Sequence, residues 1–465
     1  LIAFALALAT ANAQTDSAQS PAPPNPPAPT LGSPPGDNPP ITGMDHPVWE
    51  FPLPSRSFLL PGLHVSESLD TNIGDEPGVD STGAVTRVMG SLLFQKVNNR
   101  SMTALDYIGG AAFYTAAGSS ISQVQQVDGE ERLLWKKGDL NIRDQFSYLP
   151  EGSFGFGAYG ESGAYDLGTS GIGYIGGGIG TGLGGIFGPG EFGTLGQQPR
   201  ITNLTVVGVD QDLTARSSIT MAGGYGLVHF TDNTTGFIDS NQIGAQAGYD
   251  YQLSPRNQAA ILYGYQDFHY PNFASSTFTT HLVNVLFGRR ISGRMELTLG
   301  AGPQYSIINN PLLGGTTTKL TVSAQASLVY RFPKTTLGVY YNRFNTSGSG
   351  YFVGATSDIV RLSLTRPITR VWTFGSDIGY SHNERIQAEL FGLLPPATNS
   401  FQYVYAGAVL RRPLGKHFGF FVSYQFDYLS FHTQVCTGGF PCNEPSQRHM
   451  ASIGLDWHPR PIPLD

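Results

Sequence analysis

Charge is scarce in this chain. Asp, Glu, Lys and Arg make up 13% of its 465 residues, about half the share usual in soluble proteins. The formal net charge of −7 is spread along the sequence, with no basic run or stripe. That excludes the electrostatic footprint a nucleic-acid partner requires. Long apolar runs are missing too: no stretch has eighteen consecutive apolar residues, so no segment reads as a transmembrane helix. Cysteine is limited to Cys436 and Cys442, too few thiolates for a tetrahedral zinc site. There is no HExxH helix motif and no G-x-S-x-G nucleophile elbow. The Gly-rich tract at 171–190 lacks the strand–helix unit and the acidic residue some twenty positions on that dinucleotide binding needs. No metal or cofactor is implied, and the chain does not read as an enzyme.

What is abundant is glycine, at 59 residues, and aromatic side chains, at 12%. Mean hydropathy is only −0.11. An apolar core at residues 1–10, LIAFALALAT, is followed by Ala11-Asn12-Ala13. This small-x-small pattern predicts export and cleavage between Ala13 and Gln14. Residues 14–62 are rich in Pro and suit a disordered, extended linker that cannot bury a core. With export assumed, Cys436 and Cys442, in the stretch VCTGGFPCNEP, are expected to form a disulfide.

From Leu63 onward one theme repeats. Segments of roughly ten to fifteen residues alternate apolar with polar or small side chains, separated by turn residues. Between residues 318 and 332, Leu320, Val322, Ala324, Ala326, Leu328, Tyr330 and Phe332 share one parity. Lys319, Thr321, Ser323, Gln325, Ser327 and Arg331 share the other, with Val329 the exception. Phe418, Phe420, Val422, Tyr424, Phe426 and Tyr428 repeat the pattern against Gly419, Ser423, Gln425 and Asp427. So do Val360, Leu362 and Leu364, and Trp372, Phe374, Ile378 and Tyr380. A strand has period two, so each pattern puts apolar groups on one side of a sheet. The polar parity is mostly Gly, Ser, Thr and Gln, not the charged coat of a soluble sandwich. The apolar parity often ends in an aromatic, as a membrane-interface girdle would.

Connections alternate as well. Very short turns fall at Asn98-Asn99-Arg100, Lys137-Gly138, Ala215-Arg216, Ser254–Asn257, Ser292-Gly293-Arg294, Pro333-Lys334, Pro367-Ile368-Thr369 and Pro413–Lys416. Longer connections lie between them, the longest being a Gly-rich loop at 150–198. The interleaving predicts an all-β, transmembrane, antiparallel up-and-down barrel of about 18 strands, with about 16 as the alternative because residues 63–73 and 121–136 are weakly patterned. Part of the 150–198 loop is expected either to fold into the lumen and narrow it or to stay on the surface.

With its export signal, alternating strands and turn–loop asymmetry, the chain resembles the porin-like outer-membrane β-barrel proteins of Gram-negative bacteria. The closing segment Met450–Trp457, with Ala451, Ile453, Leu455 and Trp457 on one face, looks like the assembly signal of that class, although HPRPIPLD follows where the class usually ends in an aromatic. The resemblance implies a periplasmic linker at 14–62 and a barrel at 63–465 in outer-membrane lipid. It implies insertion by the barrel-assembly machinery, as a monomer or a homo-oligomer, and passive passage of small hydrophilic solutes. Export of a polysaccharide or surface polymer, and loop-based adhesion, are the alternatives. Alternation assigns Arg87, Asp106, Asp250, Arg290, Glu296, Lys319, Arg331, Arg361, Asp377, Gln425, Asp427 and Asp456 to the lumen as candidate pore-lining groups, where charge tunes selectivity. Arg290 and Arg331 border short turns and are expected at the periplasmic rim. His229, His269, His281, His432 and His449 lie in or near strands, with no triad legible among them.

Overall fold

The computed structural model describes residues 41–42, 57–73, 82–115, 121–149, 200–231, 237–273, 275–310, 315–348, 350–386, 400–432 and 445–464. The Ala13–Gln14 junction, most of the Pro-rich tract, the 150–198 loop and the Cys436 and Cys442 pair lie outside them. Every regular element among the described residues is a strand. In chain order these are β1 (Phe58–Asp70), β2 (Gly83–Val97), β3 (Ser101–Tyr114), β4 (Ile121–Trp135), β5 (Gly138–Leu149), β6 (Arg200–Thr214), β7 (Ser217–Phe230), β8 (Ser240–Ser254) and β9 (Asn257–Tyr270). They continue as β10 (Ser276–Ser292), β11 (Met295–Asn310), β12 (Gly315–Arg331), β13 (Thr336–Thr346), β14 (Ala355–Pro367), β15 (Thr373–Arg385), β16 (Ser400–Leu414), β17 (Phe418–His432), β18 (Ser446–Trp457) and the two-residue β19 (Ile462–Pro463).

Each of β1 to β18 pairs antiparallel with its sequence neighbours. The sheet closes where β1 meets β18, from Leu63↔Trp457 to Asp70↔Met450. The result is an up-and-down barrel of eighteen wall strands, in which every strand has a partner on both sides and no long edge is left open. Each short turn anticipated in the sequence joins two consecutive strands. Register shifts at Asp212/Thr214, Gln252/Ser254 and Arg290/Ser292 sit beside three of them, as bulges do at barrel rims.

The segment after Trp457 has a structural role. β18 stops opposite Leu63, so the first residues of β1 would show an unpaired edge. There β19 pairs Pro463 with Phe58 and Ile462 with Leu59. The Leu464 amide donates to the Ser57 carbonyl at 3.1 Å. The sheet therefore takes in Phe58 to Gly62, which sequence alone placed in the linker stretch.

The alternation resolves into an inside and an outside. On β12, Leu320 is 72% exposed and Val322 58%, while Ser323, Gln325 and Ser327 between their neighbours are buried. On β18, Ile453, Leu455 and Trp457 are exposed, and Arg448, Ser452 and Asp456 are buried. In a water-soluble fold apolar burial drives collapse. On these strands the exposed surface is the apolar one and the enclosed surface the polar one, the arrangement of a barrel wall that faces hydrocarbon.

Candidate functional site

The lumen is the enclosed region that sets what this fold can do, and its wall is built of paired charges. Arg361 on β14 meets Asp377 on β15, with Nη2 at 2.7 Å and Nε at 2.8 Å from Oδ2. The Tyr405 hydroxyl of β16 donates to Asp377 as well. Next along the wall, Asp427 accepts from Tyr403 and from Gln425, both at 2.7 Å. At the closing seam Arg448 pairs with Asp70 through Nε at 2.8 Å. Asp456 lies 2.6 Å from Nδ1 of His64. On the other side Arg143 binds Asp128 and Glu130 accepts from Asn141 at 2.9 Å. A buried or half-buried charge needs a partner and hydrogen bonds to offset lost hydration, and these residues supply them, all but the Gln425–Asp427 contact across adjacent strands.

Toward the short-turn end, residues 41–42 enter the lumen. The Thr42 amide donates to Asp250 Oδ1 at 3.2 Å, and the Thr42 hydroxyl donates to the same carboxylate. Its carbonyl accepts from Thr220 at 3.1 Å and from Gln246 at 3.3 Å. Ile41 packs with Val206, Ala222, Ala260, Leu262, Leu282 and Leu286. A piece of the N-terminal segment is thus anchored inside the barrel by both a polar and an apolar contact.

Toward the long-loop end, the connection between β13 and β14, described at 347–348 and 350–354, turns inward. Val353 packs with Phe268, Tyr270 and Phe278 of β9 and β10. Tyr351 reaches Phe401 and Phe431 of β16 and β17, with ring centroids 5.3 and 5.1 Å away. Tyr270 donates its hydroxyl to the Ser347 carbonyl at 3.0 Å. Gly350, at φ +78°, carries the turn; a Cβ there would sit 2.7 Å from Phe230. A conformation with φ positive and no room for a side chain is one only glycine meets at low cost. This loop, not singled out in the sequence, spans the inward faces from β7 to β17.

The candidate residues drawn from alternation all fall on inward-facing registers. Arg87, Asp106, Asp250, Arg361, Asp377, Gln425, Asp427 and Asp456 are buried. Arg87 donates to Ser68 at 2.8 Å, and Asp106 stands opposite Asp128 in register. Lys319 lies near the long-loop end of β12. Arg290, Glu296 and Arg331 cluster by the short turns, with Arg331 3.2 Å and Arg290 3.7 Å from the Glu296 carboxylate. Not anticipated were His64, Ser91 and Thr42, nor the inward aromatics Phe401, Tyr403, Tyr405 and Phe421.

One part of the exterior breaks the apolar pattern. On β3 to β6, Glu131 accepts from Thr103, Gln125 from Tyr107 at 2.7 Å, and Asp144 from Thr205 and from Asn203 at 3.2 Å. All of these are on outward parities.

No protein-family model matches the chain, and no curated protein matches it in sequence. Solved structures similar to it include Pseudomonas aeruginosa OccK2 (OpdF) in complex with glucuronate. That structure is 11% identical with a TM-score of 0.40, covering 88% of this chain and 98% of that one. The outer membrane protein opdK from Pseudomonas aeruginosa is 9% identical with a TM-score of 0.40, covering 87% and 98%. The ferric citrate transporter FecA in the unliganded form is 11% identical with a TM-score of 0.40, covering 86% of this chain. This chain spans 64% of the length of FecA. The barrel architecture stands on the strand pairing of this chain itself.

Proposed function

We propose that this barrel resides in the outer membrane of a Gram-negative bacterium and is a porin-like channel for small hydrophilic solutes. One observation carries the reading: the wall's exposed outer face is mostly apolar, while its charged and amide side chains are mostly on the enclosed inner face. Interstrand pairing satisfies the wall's backbone, so no main-chain polar group is left unpaired in hydrocarbon, and a barrel of this strand number is wide enough to hold water. Thr42 at one end and the 347–354 loop at the other restrict the path, so the resting conductance is small and the N-terminal segment acts as a gate. The inward residues with charged side chains, from Arg361 and Asp377 to the rim group Arg290, Glu296 and Arg331, brace the wall and bias ion preference.

The polar strip on β3 to β6 supports a homo-oligomer. A carboxylate such as Asp144 facing lipid is costly, and a second copy packed on that face removes it from hydrocarbon. The docked Thr42 also gives the alternative of gated polymer export a specific footing, because an exporter stays shut until a partner withdraws its plug.

Planar-bilayer recording of the purified full-length chain tests the reading. Discrete conductance steps that grow when residues 1–56 are deleted support a gated channel. A folded barrel that conducts no ions with or without that segment contradicts it. If the shortened barrel passes ions but blocks on adding a soluble polysaccharide, the export alternative gains.

A further inference from the structure

Three buried side chains on adjacent strands form a relay that the channel reading leaves unused. His64 on β1 lies directly across from Asp456 on β18, with Nδ1 2.6 Å from Oδ1. Its Nε2 is 2.8 Å from the Ser91 hydroxyl on β2. Ser91 pairs with Gly62 and Met89 pairs with His64, so His64 reaches Ser91 diagonally across the sheet. Gly62 keeps that line open: a Cβ there would sit 2.4 Å from Ser91 Oγ and 3.4 Å from His64 Nε2. His64 and Ser91 are each 8% exposed and Asp456 3%. A carboxylate only accepts hydrogen bonds. In the neutral imidazole, the tautomer with its proton on Nδ1 donates to Asp456 and accepts from Ser91 at Nε2. That is the nucleophile–base–orienter order that activates a serine.

We propose that Ser91, His64 and Asp456 form an acyl-transfer centre on the inner face of the barrel wall, about midway along β1 and β2, acting on carboxylic esters with an apolar acyl chain. The substrate class follows from the neighbours. Met89 and Leu93 flank Ser91 on the same face of β2, and Ile108 is its partner on β3; all three are buried. Ser91 Oγ attacks the ester carbonyl as its proton passes to His64 Nε2. The carbon–alkoxy bond then breaks, and His64 returns the proton to the departing alcohol. Water repeats the steps on the acyl-serine and releases the carboxylic acid. No oxidant or reductant is needed. Ser91 and His64 are the catalytic residues; Asp456 is a positioning residue.

The full-length chain, folded in detergent micelles, is treated with a fluorophosphonate probe and with the nitrophenyl ester of a medium-chain acid. A single adduct is expected, mapping to the Ser91 peptide, with ester hydrolysis lost in Ser91→Ala. His64→Gln slows labelling by about 10²–10⁴-fold. Asp456→Asn slows it and alters its pH profile, which a merely structural contact would not do. Heat-modifiable gel mobility identifies the folded fraction of each variant. A folded wild-type barrel that takes no adduct at Ser91 overturns the proposal, as does a folded Ser91→Ala barrel that labels at the wild-type rate. If Ser91→Ala does not fold, the mapped adduct of the wild type decides alone.

Discussion

Replacing Val322 by arginine tests which solvent the outer face of the wall meets. Val322 lies midway along β12, and 58% of its surface is open on the outside. If that face meets hydrocarbon, Val322→Arg places a guanidinium near the bilayer midplane, at a cost of about 2–4 kcal/mol in barrels of this kind. That is roughly a 30- to 1,000-fold loss in the folding equilibrium constant. Ile291 is 42% open and also faces outward, but it lies at the short-turn end of β10. Its arginine substitution costs only about 0–1 kcal/mol, because the charge can reach the interface. The assay is urea unfolding from vesicles, followed by tryptophan fluorescence. In a barrel whose exterior met water, both substitutions would stay within about 0.5 kcal/mol of wild type. Equal, small costs would therefore refute the inside-out reading, whereas a gradient with depth supports it.

Other expectations follow from the lumen. Arg361→Met strands Asp377 without its guanidinium and should destabilise the barrel by about 3–5 kcal/mol, with Arg361→Met/Asp377→Leu recovering most of the loss in the same unfolding assay. Asp250→Ala removes two hydrogen bonds holding Thr42. It should shift the docked segment outward by about 1–3 kcal/mol, roughly 5- to 150-fold, read as a higher open probability in bilayers. Gly350→Val forces a side chain into φ +78°. It should cost about 1–3 kcal/mol and, by displacing Tyr351, enlarge single-channel conductance without loss of the folded gel band.

Much of the wall was legible because a strand in lipid writes its solvent into its sequence. The segment from Leu320 to Phe332 alternates cleanly, and turns such as Ala215-Arg216 and Ser292-Gly293-Arg294 are too short to be anything but hairpins. That is why eighteen strands could be read even where β1 and β4 are weakly patterned. Periodicity gives two faces but does not say which is inward. On β16 the inward parity is Phe401, Tyr403 and Tyr405, and the outward one includes Val404, Ala406 and Ala408, so the usual polar-in rule fails there. His64 was hidden because its partners, Ser91 and Asp456, come together only when β1 closes against β18. Thr42 was hidden in a Pro-rich tract with no pattern of its own. The 347–354 loop looks like ordinary polar glycine-rich sequence apart from Tyr351, Phe352 and Val353. The Gly-rich 150–198 loop, outside the described residues, drew attention by length instead.

The most direct measurement is a spin-label scan along β12. Single cysteines from residue 318 to residue 328 are labelled, and the chain is reconstituted in vesicles. Collision rates with oxygen and with a water-soluble nickel chelate are compared at each position. A lipid-facing outer parity gives a period of two: labels at 320, 322, 324, 326 and 328 collide with oxygen and not with nickel, and labels at 321, 323, 325 and 327 show no lipid signature. Equal nickel access at both parities, or the opposite phase, would contradict it.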